Sequence, residues 1–196
     1  MIFFISTCGL GLGILRFLII IALAWRGIHK EKNRKKIQKY SPSVSVIVPA
    51  YNEEKVIIRT IESLELSDYP DFEIIVVDDG STDQTYEVSR DAYPSRENVH
   101  VFQKSNAGKG IAINYGINHA RGEIIIVIDA DTLFEPSTIT SLIEGFQHEN
   151  IGAVSGNVKV GNRHSFLTKL QAIEYITSQN LDRRAYAAMN AITVVP

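Results

Sequence analysis

Two aspartates, Asp129 and Asp131, follow the apolar run Ile124 to Ile128 in "EIIIVIDAD". On a strand, residues two apart send their side chains to the same side. Two carboxylates placed so repel each other unless a cation joins them. Hard divalent cations such as Mg²⁺ or Mn²⁺ take such oxygen ligands. Mg²⁺ typically uses one or two carboxylates and completes its shell from water and substrate phosphates. A second acidic pair, Asp78 and Asp79, ends "FEIIVVDD" just before Gly80. A carboxylate there can accept from a base N–H or a ribose hydroxyl. Tyr51 and Glu53 leave "VSVIVPAY" in the same way, and a tyrosine at such a mouth offers a ring face for stacking a base. "NAGKG" puts Gly108, Lys109 and Gly110 at the start of a helical pattern. A helix N-terminus with a lysine suits an anionic phosphate. The bland reading is a cap, a turn or a solvated side chain for the charged residues and a buried core position for Tyr51; their concurrence favours a site.

The elements that must position them are legible as four apolar runs, 44–51, 72–79, 98–104 and 123–131, separated by helical patterns. Ile57, Ile61 and Leu64 share one helix face, with Asn52 as a plausible N-cap, and Ser81 and Gln84 have capping-box spacing. Strands alternating with helices predict βαβ units and a parallel sheet, its apolar strands covered on both faces. In such sheets ligands sit outside the carboxyl ends of the strands, where "PAYNE", "DDGS" and "DADT" fall, with "NAGKG" just after the third run. The spacing of "NAGKG" fails the Walker A pattern, there is no GxSxG or HExxH, and the five histidines are scattered.

The chain has 196 residues and a formal net charge of −2, which hides two unlike parts. Residues 1–25 carry one charge, Arg16, and as a helix would outreach a hydrocarbon core of roughly 30 Å. Seven Lys and Arg follow between residues 26 and 39, opposed only by Glu31. Positive charge after the apolar run, and not before it, favours a membrane anchor over a cleaved signal peptide and directs the following chain to the cytoplasm. The expectation is a transmembrane helix over 1–25, a basic juxtamembrane linker over 26–42 near anionic lipid, and a globular domain over 43–196. Arg16 in mid-span, and the GxxxG spacing of Gly9 and Gly13, hint at packing against other membrane helices. Cys8 is the only cysteine, so no disulfide forms within one chain. The acidic balance beyond residue 40 argues against nucleic acid as a partner.

Taken together, "VSVIVPAYNEE", "FEIIVVDDGSTD", "NAGKGIAINYGI" and "IIIVIDADT" resemble the family 2 glycosyltransferases in order and spacing. The resemblance implies a GT-A, Rossmann-like α/β fold with a mostly parallel sheet, a UDP-sugar donor and inverting transfer. Carried over by position, Tyr51 would stack on the base, Glu53 approach the ribose, and Asp79 bind base or ribose. Lys109 would approach the diphosphate, and Asp129 and Asp131 would form the DxD, with Asp131 the more direct metal ligand. "IGAVSGNVKVGNR" and the segment from Leu167 to Pro196 look like the membrane-embedded processive branch, which makes poly-N-acetylglucosamine, chitin oligosaccharides or hyaluronan. N-acetylglucosamine is then the favoured sugar, and a growing polysaccharide or oligosaccharide the acceptor. In this family the general base and a QxxRW-like acceptor motif lie beyond the "VVP" at Pro196, so the chain reads as the donor-binding part of a larger enzyme. A membrane-tethered nucleotide-sugar-binding module without catalysis shares every one of these motifs. A phospho-acceptor receiver domain does not fit, because its acidic pair and lysine come in a different order along the strands.

Overall fold

The computed structural model describes residues 12–23, 25–26, 40–94, 96–147, 151–161 and 164–176. By internal contacts the chain divides into two compact units, Ile37–Val154 on one hand and Met1–Lys36 with Ser155–Pro196 on the other. In the first unit the order is β1 (Val44–Ala50), α1 (Ile57–Glu65), β2 (Phe72–Asp78), α2 (Thr85–Ala92), β3 (Val99–Gln103), α3 (Lys109–His119), β4 (Ile124–Val127) and α4 (Thr138–Glu144). The four strands form a parallel sheet in the order β3-β2-β1-β4. The chain steps outward from β1 to β3, then returns past β1 to place β4 on its other side. Strand order therefore reverses between β1 and β4, and crevices at such switch points are where open α/β sheets bind ligands.

The two-residue period of β1 sorts its side chains between two cores. Val44, Val46, Val48 and Ala50 meet Ile57, Ile61 and Leu64 of α1 on one face. Ile47 joins Ile75, Val77 and Ala112 on the other. All seven β1 residues are buried, so the expectation of a strand covered on both faces holds there. It does not hold for β4. That strand has four residues, pairs only with β1 among the described residues, and leaves Val127 43% exposed. Among the described residues it is an edge strand, and its apolar run continues into the turn that follows.

Helix α3 lies close against the second face. A Cβ on Gly116 would stand 2.6 Å from Ile47 Cγ2 and 3.3 Å from Val77 Cγ2, so only glycine lets the helix approach the sheet this closely.

Two predicted caps do not form. α2 starts after Gln84, and Asp83, not Ser81, serves its first turn: Asp83 Oδ1 accepts from the Thr85 amide at 3.0 Å and from its hydroxyl at 2.5 Å. α1 starts after Val56, and Asn52 is used elsewhere.

In the second unit, residues 12–23 are helical and α5 spans Phe166–Glu174, with a capping box between Ser165 and Thr168. Among the described residues no helix is long and apolar enough to cross a membrane. The expected span is thus not found as such; residues 1–11 and 24, most of the basic run 26–39, and residues 177–196 lie outside the described residues.

Candidate functional site

A cavity of about 280 Å³ opens at the switch point, lined by Pro49, Ala50, Tyr51, Glu53, Asp79, Lys109, Asp129, Ala130 and Asp131. Six of the seven residues singled out in the sequence come together here. The seventh, Asp78, is not in this lining. Asp78 is fully buried, its Oδ2 accepts from the Ser81 amide and from Gln103 Nε2, both at 3.2 Å, and its Oδ1 has no partner among the described residues.

Asp129 and Asp131 reach the cavity differently from the simple strand picture. β4 ends at Val127, so both lie in the turn that follows, closed by the Thr132 amide donating to the Asp129 carbonyl at 3.1 Å. The turn is pinned from below: the buried hydroxyl of Thr60, on α1, donates to the Ala130 carbonyl at 2.7 Å. Ser63 accepts from the Phe134 amide at 3.0 Å. A helix one layer away thus holds the backbone between the two aspartates.

Across the mouth, the segments after β1 and β2 are laced together. Asn52, at φ 58°, accepts on its Oδ1 from the Thr82 amide at 2.8 Å, and its own amide donates to Ser81 Oγ at 2.9 Å. The Glu53 amide donates to Thr85 Oγ1 at 2.8 Å, and the Glu54 amide to Asp83 Oδ2 at 3.2 Å. The Gln84 amide returns a bond to Glu54 Oε2 at 3.1 Å. "YNEE" and "STDQT" are therefore two halves of one structure. It leaves the Tyr51 ring 47% exposed at the cavity, as a stacking face would need.

The charge distribution is uneven. Lys109, the first residue of α3, ion-pairs with Asp129; both are well exposed, so the pair contributes little to stability. Among the described residues Asp131 forms no ion pair. Burial, then the charges of Asp131, Asp83 and Asp129, push the Glu53 carboxyl above the usual carboxylate range. Negative charge in the cavity is thus undercompensated by the chain itself. No group of three His, Cys, Asp or Glu among the described residues forms a complete metal cage. The donor set fits a cation that takes one or two carboxylates and completes its shell from elsewhere.

Residues 45–193 match the profile of Glycosyl transferase family 2. The chain belongs to glycosyl transferase family 2. Its parallel sheet flanked by helices is the GT-A-like α/β architecture. The chain is 33% identical over 153 residues to the poly-beta-1,6-N-acetyl-D-glucosamine synthase of Staphylococcus epidermidis, covering 78% of this chain and 37% of that protein. The enzyme of the same name from Staphylococcus aureus is 31% identical over the same shares. The chain therefore spans a little over a third of the length of these relatives. Among solved structures, a mannosyltransferase of Pyrobaculum calidifontis in complex with GDP-Man and Mn²⁺ superposes with a TM-score of 0.61 at 30% identity, over 76% of this chain and 46% of that one. The glucosyl-3-phosphoglycerate synthase of Mycobacterium tuberculosis in complex with UDP gives 0.51 at 28% identity, over 70% and 50%.

In this family 2 chain the raised Glu53 carboxyl has a pH signature. A carboxyl whose folded pKa exceeds its unfolded value binds its proton more tightly when folded, so its ionisation costs stability as pH rises through that window. Glu53→Gln is expected to raise the melting temperature at pH 7 and to leave it unchanged at a pH below the usual carboxylate range. Thermal melts at both pH values check this; an equal shift at both would remove the electrostatic explanation.

Proposed function

We propose that this chain is the donor-binding part of an inverting glycosyltransferase that takes its sugar, N-acetylglucosamine by preference, from a UDP-sugar. The observation that carries the reading is the gathering of Tyr51, Glu53, Asp79, Lys109, Asp129 and Asp131 around one cavity at the strand switch point. UDP in the Mycobacterium neighbour and the N-acetylglucosamine polymer named in the staphylococcal relatives support the choice of donor.

Within this reading Tyr51 packs its exposed ring on the base, and Glu53 and Asp79 face the base and ribose. The leading amides of α3, behind Gly108, and the Lys109 ammonium face the diphosphate, where they steady charge as the leaving group departs. Asp131, with Asp129, would hold a divalent cation, Mg²⁺ or Mn²⁺, which when bound offsets the diphosphate charge. The Lys109 pair with Asp129, and the absence of an ion pair on Asp131 among the described residues, support Asp131 as the chief ligand. The acceptor is a growing polysaccharide whose hydroxyl attacks the anomeric carbon opposite the diphosphate, as the bond from that carbon to the diphosphate oxygen breaks and the hydroxyl proton passes to a general base.

Calorimetric titration of the 196-residue chain with UDP, with and without Mn²⁺ or Mg²⁺, tests the proposal. Binding that requires the cation is expected. Equal binding with and without it, or none at all, would overturn the reading.

We also propose that the N-terminal segment belongs to a membrane. Phe17, Leu18 and Ile19 are successive in the described helix and each at least 50% exposed, so apolar surface faces outward around most of a turn. Alkaline extraction should leave the chain in the membrane pellet; release into the supernatant would contradict an integral anchor.

A further inference from the structure

Asp79 sits on the cavity wall, yet most of its bonding capacity points away from any ligand. Its Oδ1 accepts from Lys104 Nζ at 2.5 Å and from the Ala107 amide at 3.1 Å, and its Oδ2 accepts from the Gly108 amide at 2.7 Å. Lys104 Nζ also donates to the Ser105 carbonyl at 2.5 Å. Both side chains are largely withdrawn from solvent, Lys104 at 13% and Asp79 at 6% exposure. Burial opposes ionisation of Asp79, but the Lys104 bond, the two amides and the Lys104 charge outweigh it and hold the carboxyl below its usual range. The four residues from Lys104 to Ala107 are thus wrapped around one carboxylate, and Gly108 and Lys109 follow at once. The neighbouring Gly80 backs the same turn, with its missing Cβ 2.6 Å from the Asn106 nitrogen.

We infer that Lys104 is a positioning residue: clamped between the Asp79 carboxylate and the Ser105 carbonyl, it folds the 104–108 turn so that Lys109 and the first amides of α3 face a diphosphate. The inference rests on the nucleotide-sugar reading of the cavity. Lys104 has a second effect through the same bond. It neutralises a carboxylate on the wall of the same cavity, so its loss should weaken ligands in proportion to their phosphate charge.

Titrations in Mn²⁺ with uridine, UMP and UDP as probes separate this from general damage. Lys104→Met should weaken UDP by about tenfold, the usual order for a lost charged hydrogen bond, and UMP by less. It should leave uridine within about twofold. Lys104→Arg should restore UDP affinity. Equal losses for uridine and UDP, or an arginine variant no better than the methionine one, would overturn the assignment. Should Lys104→Met not fold, Lys104→Gln keeps a donor without the charge and must show the same order of losses. Amide exchange judges the clamp even if the native chain binds no UDP, an outcome that would sink the donor reading alone. The Ala107 and Gly108 amides should exchange at least about tenfold faster in the methionine variant, with β1 and β2 unchanged. Unaltered protection at those two amides would refute the clamp.

Discussion

Asp131→Ala is expected to abolish cation-dependent UDP binding, while Asp129→Ala weakens it. The asymmetry follows from what each carboxylate already holds. Asp129 is engaged by Lys109, whereas Asp131 has no cationic partner among the described residues and is the foremost of the charges that raise the Glu53 carboxyl. On the proposed reading, removing Asp131 deletes the carboxylate freest to meet a cation. Removing Asp129 also frees Lys109 toward the diphosphate, so part of the loss is offset. Loss even of a group that supports a metal ligand typically costs about 10- to 100-fold in metal affinity, so loss of the ligand itself should cost at least that. Calorimetry with UDP and Mn²⁺ measures both variants. Unchanged affinity in both would remove the metal assignment, and a larger loss for Asp129→Ala would exchange the two roles.

The second large effect is on folding. Gly80→Ala should destabilise the chain by roughly 2–5 kcal/mol, combining the strain of a left-handed residue with overpacking. Gly80 has φ 69°, and a Cβ there would meet the Asn106 nitrogen at 2.6 Å and the Lys104 carbonyl at 3.1 Å, both backbone atoms that cannot rotate aside. Gly108 supplies the control. It too has a positive φ, 94° with ψ 156°, but a Cβ there would have no neighbour within 4 Å. Gly108→Ala should therefore cost only the conformational part, about 1–3 kcal/mol. Urea denaturation of the two variants gives the difference directly. Equal costs would show that the close approach of the 104–108 turn to Gly80 is not a constraint.

The sheet was legible because β1 and β2 are apolar on both faces, and a run such as Val44 to Val48 has few other homes in a chain of this class. The site was legible because strand ends converge in a parallel sheet, so Tyr51, Asp79 and Asp129 could be placed together from order alone. What sequence reading missed depends on contacts between distant segments. Thr60 looks like an ordinary polar helix residue until its hydroxyl is found on the Ala130 carbonyl, 70 positions away. Asn52 looks like a cap, because local rules weigh only the next turn; its partners Ser81 and Thr82 lie about thirty residues on. Lys104 reads as a strand-end lysine, and Asp79 as a ligand residue, until the Asp79 carboxylate is seen to hold Lys104 together with the Ala107 and Gly108 amides. Val127 shows the opposite limit: hydrophobic pattern alone does not tell an edge strand from a central one.

The close seat of α3 at Gly116 has one more consequence. Lys109 lies seven residues earlier on the same helix, two turns and nearly the same side, at an axial distance of about 10 Å. With the helix wedged against Ile47 and Val77, the lysine cannot drift along or roll about its axis without disturbing the interior. On the proposed reading of the site, side-chain volume deep under the sheet thereby becomes a dial on ligand affinity. Trimming Ile47 or enlarging position 116 would retune the grip on an anion without touching any atom that meets it.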